Sequence, residues 1–295
     1  MTDFVATLIA RPGNDAALGA ALAVATDFAP DPWVTWLSEG EAVDVAFSTG
    51  DPTSANAAIA AAVADHPVDV VVQPAAHRRK KLLVADMDST MIGQECIDEL
   101  ADYAGFKPQV AAITDRAMHG DIAFEPALHE RASLLAGLSR DVIAEVIAER
   151  ITPNPGAHTL VTTMRANGAT AVLVSGGFTD FAEPIGEMIG FDVVRANRLN
   201  GEDGSLDGTV ALPVVGPDAK RLALLEEAER LEVAHEDTLA VGDGANDIAM
   251  VSAAGLGVAY HAKPKLADVA DARIDHADLT ALLYLQGYRR DEFVT

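Results

Sequence analysis

Residues 82–90 read Leu-Leu-Val-Ala-Asp-Met-Asp-Ser-Thr, a short apolar run that ends in two carboxylates, Asp86 and Asp88. An uninterrupted apolar run of this length is typical of a strand buried on both faces in a parallel sheet. Two carboxylates two positions apart can serve one site when the backbone turns directly after the strand. One can then act as a nucleophile while the other transfers protons. The stretch therefore predicts a catalytic site at the carboxyl end of a buried strand.

Two later segments repeat this arrangement. Residues 169–174 are apolar except for Thr170 and lead into Ser175-Gly176-Gly177, and residues 238–241 lead into Gly242-Asp243-Gly244. The carboxyl ends of parallel strands meet at one edge of a sheet, where α/β proteins bind their ligands. We therefore expect a Rossmann-like, doubly wound parallel sheet in which three strand ends form one site.

The acidic residues at these strand ends predict a bound Mg²⁺. Asp86 and Asp243 follow two different strands, and Asp247 follows Asp243 within Gly-Asp-Gly-Ala-Asn-Asp at 242–247. Carboxylate and backbone oxygens are the ligands that this hard cation prefers. Without a cation, such a cluster of acids would repel a phosphate group.

Two further features predict a phosphate site. Ser175 and the amides of Gly176 and Gly177, expected at a strand-to-helix turn, can donate hydrogen bonds to phosphate oxygens. Lys220, expected at the start of a helix over 221–231, can neutralise both the phosphate and a nucleophilic carboxylate.

The segment 93–167 is far longer than an ordinary connection between a strand and a helix, so we predict a helical cap inserted over the sheet. Its helices are expected at 96–104, 108–119, 124–136 and 140–151. Turn signals at Asn200-Gly201 and Asp203-Gly204 predict a small hairpin between 193 and 210.

The first 76 residues predict a separate small domain. Strand and helix patterns alternate in the order βαββαβ, with strands at 4–10, 33–37, 42–47 and 68–73 and helices at 15–26 and 54–64. The basic run His77-Arg78-Arg79-Lys80-Lys81 follows. On an acidic chain this run favours a solvated domain junction over a nucleic-acid site. The predicted organisation is a domain at 1–76, a linker at 77–81 and a capped α/β domain at 82–295.

The order βαββαβ resembles the ferredoxin-like α+β modules known as ACT domains. The resemblance implies that Arg11-Pro12-Gly13, at the turn after the first strand, is a candidate amino-acid site. Such modules often pair, so it also makes a homodimer an expectation.

Composition excludes several classes of partner. The chain has 295 residues and a formal net charge of −24, which opposes binding to nucleic acid or to anionic lipid surfaces. Cys96 is the single cysteine, so an intrachain disulfide is impossible, and we expect it to pack within a helix. The first residues have no pattern of a signal peptide, and charges interrupt every long apolar run. We therefore expect a cytoplasmic protein with a small-molecule substrate, no nucleic acid and no membrane partner.

The motifs Asp-Met-Asp-Ser-Thr, Ser-Gly-Gly-Phe, Lys220 and Gly-Asp-Gly-Ala-Asn-Asp, in this order, resemble those of the haloacid dehalogenase-like phosphohydrolases over about 82–285. The resemblance implies that Asp86 is the nucleophile and Asp88 the general acid and base. The implied ligands of Mg²⁺ are Asp86, the backbone carbonyl of Asp88 and Asp243, with Asp247 in support. The implied phosphate-binding residues are Ser175, Gly176 and Lys220, with Asn246 nearby.

The same resemblance implies three substrate-reading residues in the cap. Glu95 matches an acid that holds an ammonium group, Arg131 an arginine that holds a carboxylate, and Phe124 an apolar lid residue. Opposite charges suit the two ends of a zwitterion. The implied reaction is hydrolysis of O-phospho-L-serine to L-serine and phosphate through an aspartyl-phosphate, the last step of serine biosynthesis.

Two alternatives remain open. The substrate could be another small phosphomonoester, or the phosphoryl group could pass to a second alcohol instead of water. In a different class, the chain could be a regulatory protein that is phosphorylated on Asp86 or binds an amino acid. A positioned acid at Asp88 argues against a long-lived phosphorylated switch.

Overall fold

Two large β-sheets and a separate two-stranded hairpin organise the described part of the chain. The computed structural model describes residues 2–11, 13–27, 32–49, 51–119 and 121–295. The first sheet is antiparallel and lies near the N-terminus, whereas the second is parallel and lies in the remainder of the chain.

The N-terminal sheet has four strands in the order β2-β3-β1-β4. Alternation along its strands brings residues such as Leu8 and Val43 into one apolar cluster with the helices behind the sheet. The carboxylate of Asp51 begins the second helix by accepting a hydrogen bond from the Ser54 amide. The elements are β1 (Thr2–Ala10), α1 (Asp15–Asp27), β2 (Trp33–Ser38), β3 (Ala42–Thr49), α2 (Pro52–Ala62) and β4 (Val68–Pro74). The α+β unit expected from the sequence is therefore present.

The parallel sheet has six strands in the order β12-β11-β10-β5-β6-β7. Its first strand in the chain, β5, lies at the centre, and successive strands are added on both sides of it. Ligand sites form at such a reversal of strand order. The strands are β5 (Leu82–Ala85), β6 (Thr170–Phe178), β7 (Val193–Asn197), β10 (Thr238–Gly242), β11 (Leu256–Tyr260) and β12 (Ala272–Ile274), and a separate hairpin is formed by β8 (Leu199–Glu202) and β9 (Ser205–Val210).

The central strand is apolar throughout because both faces of the sheet are covered. Leu83 and Ala85 pack into the apolar cluster on one face, and Leu82 and Val84 pack into the cluster on the other. The predicted doubly wound α/β core is confirmed.

Four helices form the cap: α3 (Cys96–Ala104), α4 (Lys107–His119), α5 (Phe124–Ser133) and α6 (Asp141–Arg150). The chain enters and leaves it through a short two-stranded hinge, in which Ile92 bridges Pro153 and the Asn154 amide donates to the Met91 carbonyl at 2.9 Å. The hairpin braces the cap from the side, since the amides of Gly137 and Arg140 donate to the carbonyls of Leu206 and Gly204.

The remaining helices are α7 (Ala157–Ala166), α8 (Thr179–Ile189), α9 (Pro217–Arg230), α10 (Ile248–Val251), α11 (Pro264–Ala267) and α12 (Ala281–Leu285). Helix α7, which the sequence patterns did not single out, packs against β6, α8 and α12. We accordingly propose that the cap ends near residue 153 and that α7 belongs to the core. Among the described residues, no helix is long and apolar enough to cross a bilayer.

The basic segment at 77–81 is partly in solvent, since His77, Arg79 and Lys81 are exposed, but Arg78 and Lys80 make specific contacts. The Arg78 guanidinium bonds both carboxylate oxygens of Asp44 at 2.7 and 3.0 Å, and it reaches the carbonyls of Tyr284 and Leu285 at 3.2 and 3.1 Å. Lys80 is buried. The junction therefore ties the N-terminal sheet to α12.

A second set of contacts joins the two units near the active-site edge. Asp69 in β4 accepts hydrogen bonds from the amides of Asp275, His276 and Ala277. A cavity of about 650 Å³ lies beside this contact, between the end of β1 and the cap hinge. Arg11 lines it. Pro12, the middle residue of the candidate amino-acid turn, lies outside the described residues, and amino-acid binding there stays a prediction.

Candidate active site

Asp86 and Asp88 lie in a tight turn directly after β5. Ser89 makes the turn by adopting a left-handed backbone with φ of +56°. Asp86 is buried, and its Oδ1 accepts a hydrogen bond from the Met87 amide at 2.8 Å. Met87 itself points into the apolar core, as expected. The turn thus places both acids at the sheet edge.

Asp88 is fixed by two donors from different elements. Its Oδ1 accepts from the Cys96 amide at 2.8 Å, and its Oδ2 accepts from the Ser175 hydroxyl at 3.3 Å. Cys96 is the first residue of α3, so Asp88 faces the positive end of a helix dipole. Burial nevertheless raises the pKa of Asp88 above its usual value, which suits a proton donor. Cys96 is buried, as expected. Nothing in the sequence indicates that its backbone amide binds Asp88.

Lys220 lies beneath the two acidic loops. It is 1% exposed, and its Nζ lies 2.6 Å from Asp86 Oδ1 and 2.7 Å from Asp247 Oδ1. Burial alone would lower its pKa, but the two carboxylates outweigh burial and raise it. Lys220 therefore stays charged and links the first acidic loop to the last.

The loop after β10 carries the other two acids. The amides of Asp243 and Gly244 donate to Asp247 Oδ2 at 3.3 and 3.1 Å. Gly242 is needed for this close approach, because a β-carbon there would lie 2.5 Å from the Asp247 carboxylate. Asn246 lies in the same loop with its side-chain oxygen against Gly244.

Carboxylate oxygens from three residues, Asp86, Asp243 and Asp247, lie within 4.8 Å of one another. Burial and the neighbouring Asp247 raise the pKa of Asp86, the direction that a nearby cation would reverse. An all-oxygen donor set of this kind fits a hard divalent cation such as Mg²⁺.

The Ser175-Gly176-Gly177 segment adjoins these acids. The Gly177 amide donates to the Ser175 hydroxyl at 2.8 Å. The segment was expected in a turn, but β6 continues through Phe178, with an irregular register against β7 after Val174. Asn197 holds the segment, because its side-chain amide donates to the Gly176 carbonyl at 2.9 Å. Asn197 lies at the end of β7, a strand end that our sequence interpretation did not use.

Phe124 brings the cap onto this segment. Its ring lies so close to Gly176 and Gly216 that a β-carbon at either glycine would come within 3.3 Å of it. The cap is therefore closed over the sheet edge, with an apolar ring above the Ser175 segment.

Glu95 and Arg131 bring opposite charges to the space beneath the cap. Glu95 accepts a hydrogen bond from the Ser89 hydroxyl at 2.7 Å, and loss of solvent together with the charge of Asp88 raises its pKa to about 7. Burial lowers the pKa of Arg131, although the nearby charges of Asp98, Glu95 and Asp88 act in the opposite direction. Among the described residues, no carboxylate forms an ion pair with Arg131, and Glu130 pairs with Arg116 instead at 2.8 Å. Arg131 is thus available to a ligand.

The structure also places Lys263, which the sequence interpretation missed, at this site. Its Nζ lies 3.1 Å from Asp243 Oδ2. Lys263 follows β11, an apolar strand at 256–260, so the rule that strand ends form the site would have found it. All the residues singled out in the four motifs lie at the same sheet edge, facing the three cap residues.

Comparison with known proteins defines the class of this fold and site. Residues 83–252 match the family model of the haloacid dehalogenase-like hydrolases. The chain belongs to this family, as its motifs predicted.

Particular relatives narrow the comparison. The chain is 44% identical over 237 residues to the phosphoserine phosphatase SerB2 of Mycobacterium tuberculosis, an alignment that covers 80% of this chain and 58% of that protein. A hydrolase of the same family from Salmonella enterica serovar Typhi superposes over 96% of this chain and 98% of its own, with a TM-score of 0.85 and 25% identity. A structure described as a phospho-aspartyl intermediate analogue of phosphoserine phosphatase covers 70% of this chain and 98% of its own, with a TM-score of 0.64 and 42% identity.

Proposed function

We propose that this chain is a Mg²⁺-dependent phosphatase that hydrolyses O-phospho-L-serine to L-serine and phosphate, the last step of serine biosynthesis. The observation that carries the proposal is the juxtaposition of a lysine-paired carboxylate, Asp86, with a separately held carboxylate of raised pKa, Asp88. One arrangement thus offers a nucleophile and an acid at the same sheet edge. The relatives named phosphoserine phosphatase support the choice of substrate.

The chemistry divides into two displacements. A carboxylate oxygen of Asp86 forms a bond to phosphorus while the bond from phosphorus to the serine oxygen breaks, and Asp88 gives its proton to that leaving oxygen. Water then attacks the phosphorus of the aspartyl-phosphate and gives a proton to Asp88. Breaking of the acyl phosphate bond releases inorganic phosphate and restores Asp86.

The phosphate group is held by donors around these acids. Ser175, the Gly176 amide and Lys220 face the three peripheral oxygens in this proposal, with Asn246 beside them. Lys220 is already charged and buried, so it needs no reorganisation as negative charge develops.

The acidic cluster supplies the site for the cation. Its ligands are Asp86, the backbone carbonyl of Asp88 and Asp243, with Asp247 in support. A bound Mg²⁺ supplies positive charge that offsets the repulsion between these acids and a phosphate ester. The oxygen-only cluster supports this assignment.

Residues of the cap bind the amino-acid part of the substrate. Glu95 accepts the ammonium group. Arg131, which forms no ion pair with a carboxylate among the described residues, binds the substrate carboxylate through its planar fork. Phe124 closes over the phosphate segment and excludes water.

The proposal also includes a cytoplasmic location, a small-molecule substrate and a homodimer. The single buried cysteine is compatible with a cytoplasmic location, and the cap closed by Phe124 over the sheet edge is compatible with a small-molecule substrate. A homodimer is supported by the edge strand β2, which carries two exposed tryptophans, Trp33 and Trp36.

The decisive experiment measures phosphate release from L-phosphoserine, L-phosphothreonine, phosphohomoserine and a sugar phosphate, each with Mg²⁺ and with EDTA. We expect EDTA-sensitive turnover that strongly favours L-phosphoserine. Turnover of other esters alone would keep the mechanism but overturn the substrate. The absence of phosphate release from all four esters would favour transfer of the phosphoryl group to an alcohol acceptor, or a regulatory role.

A further inference from the structure

Lys263 holds Asp243 at two points. Its backbone amide donates to the Asp243 carbonyl at 2.8 Å, and its Nζ lies 3.1 Å from Asp243 Oδ2. Lys263 lies between β11 and α11, in the loop next to that of Asp243 on the active-site edge. None of the roles proposed above uses this lysine.

The two lysines of the site divide the acids between them. Lys220 is buried and pairs with Asp86 and Asp247. Asp243 has no pair with Lys220, and within the described ranges its cationic partner is Lys263. No donor in the described part of the chain reaches the other oxygen of Asp243, Oδ1. That oxygen is open to a ligand while Lys263 occupies Oδ2.

We propose that Lys263 is a positioning residue for the divalent cation, because it orients the Asp243 carboxylate so that Oδ1 is left for the ion. The inference rests on the cation dependence in the proposed function. Hydrogen-bond partners of a ligating carboxylate fix its orientation, and their removal typically weakens metal binding about 10- to 100-fold. The charge of Lys263 acts in the opposite sense by repelling a cation, but its side chain is 56% exposed, so solvent screens this repulsion. Orientation therefore outweighs repulsion.

The test is calorimetric titration of the metal-free full-length chain with Mn²⁺ and Mg²⁺, which requires no turnover. We expect Lys263→Met to bind Mn²⁺ about tenfold or more weakly than the wild type. Lys263→Arg, which retains a donor, should recover most of the loss. Lys265→Met is the matched control, because Lys265 is exposed two residues further on and should leave the affinity unchanged. Thermal unfolding of the metal-free variants checks that each is folded.

The outcomes separate the two proposals. Wild-type affinity in folded Lys263→Met would overturn the positioning role and leave the cation dependence standing. Tighter binding by that variant would also overturn it, since Lys263 would then compete with the cation for Asp243. A wild-type chain that binds neither ion at millimolar concentration would overturn the cation dependence and this inference together.

Discussion

Lys220 and Asp86 form a buried ion pair in which 2.6 Å separates Nζ from Oδ1, and both side chains are at most 5% exposed. Asp247 completes a bridge on the other side of the lysine at 2.7 Å. A single buried cation between two acids leaves one negative charge uncompensated, and burying such a charge is costly. The site therefore favours the binding of a further positive charge. Without that charge, the arrangement would contribute little to the stability of the fold.

Replacement of the nucleophile is expected to separate activity from folding. Asp86→Asn should lower phosphate release at least about a thousandfold, because the amide cannot form the acyl phosphate. Its stability should change little, since Lys220 keeps Asp247 as a partner and the repulsion between the two acids is relieved. Phosphate release and thermal unfolding measure the two effects. Full activity in the purified variant would contradict the covalent mechanism.

Arg131 should determine selectivity for a carboxylate. Arg131→Met is expected to raise the KM for phosphoserine by roughly 30-fold or more, since a desolvated charge pair with the substrate is lost. Turnover of phosphoethanolamine, which lacks the carboxylate, should hardly change. Arg116→Met serves as the control, because Arg116 pairs with Glu130 on the cap surface and is 48% exposed. An equal effect on both substrates would show that Arg131 only supports the cap.

Glu95 should give the reaction a pH dependence near neutrality. Its pKa is raised to about 7, so the carboxylate that binds an ammonium group forms only as the pH rises through this value. The kcat/KM for phosphoserine should therefore increase with pH through about 7, and Glu95→Gln should lose this limb. Phosphoglycolate, which lacks the ammonium group, controls for ionisation of the phosphate itself.

The raised pKa of Glu95 also makes the stability of the folded chain depend on pH. The folded chain keeps a proton on Glu95 at pH values where the unfolded chain has already released it, between about 4.5 and 7. The contribution of Glu95 to stability therefore falls as the pH rises through this window. Glu95→Gln should remove this part of the pH dependence of the free energy of unfolding, which urea unfolding measures. An unchanged pH profile of kcat/KM in Glu95→Gln would argue against the ammonium-binding role.

Three of the four motifs follow apolar runs, and the carboxyl ends of parallel strands meet at one edge, so the sequence predicted the position of the site. Asp86 and Asp243 come directly after the strands β5 and β10, and Ser175 lies near the end of the neighbouring strand β6. The helical pattern likewise predicted α3 with both of its ends correct. Local sequence patterns were sufficient to predict an element where the element depends mainly on its own residues.

Contacts between distant segments were not predictable in this way. The strand-end rule applies to Lys263 after β11 and to Asn197 at the end of β7, but nothing in their local sequence specifies their partners. The amide of Cys96 acts through the start of a helix, so the residue type carries no signal. The basic run at 78–81 resembled a solvated junction because the partners of Arg78 lie 34 and about 206 residues away.

Arg78 should be a main source of stability for the junction. Arg78→Met leaves Asp44 buried without its partner, a change that typically costs about 3–5 kcal/mol. We expect the urea midpoint to fall accordingly, while kcat at 25 °C stays near the wild-type value. Arg289→Met is the control, since Arg289 forms an exposed pair with Asp291 and should cost less than about 1 kcal/mol. Equal losses in the two variants would show that Arg78 is not a structural tie.

The edge strand β2 should mediate association of two chains. Among the described residues it pairs with β3 on one side only, and Trp33 and Trp36 are 75% and 44% exposed there. Exposed aromatic side chains on an unpaired edge favour pairing with another strand. Light scattering is expected to give twice the chain mass of 30.8 kDa, and the double variant Trp33→Lys, Trp36→Lys should give the mass of one chain.

Because the two tryptophans of the chain both lie in β2, tryptophan fluorescence, excited selectively over that of the tyrosines, reports on this strand alone. Dilution of the wild-type chain should shift its emission to the red as the indole rings return to water, with the same midpoint as the change in mass. Leu212→Lys, at a 73% exposed apolar position far from β2 in sequence, should leave both measurements unchanged. A dimer that persists in the double variant would place the contact on another surface, since two lysines on β2 cannot be buried without a large cost in free energy.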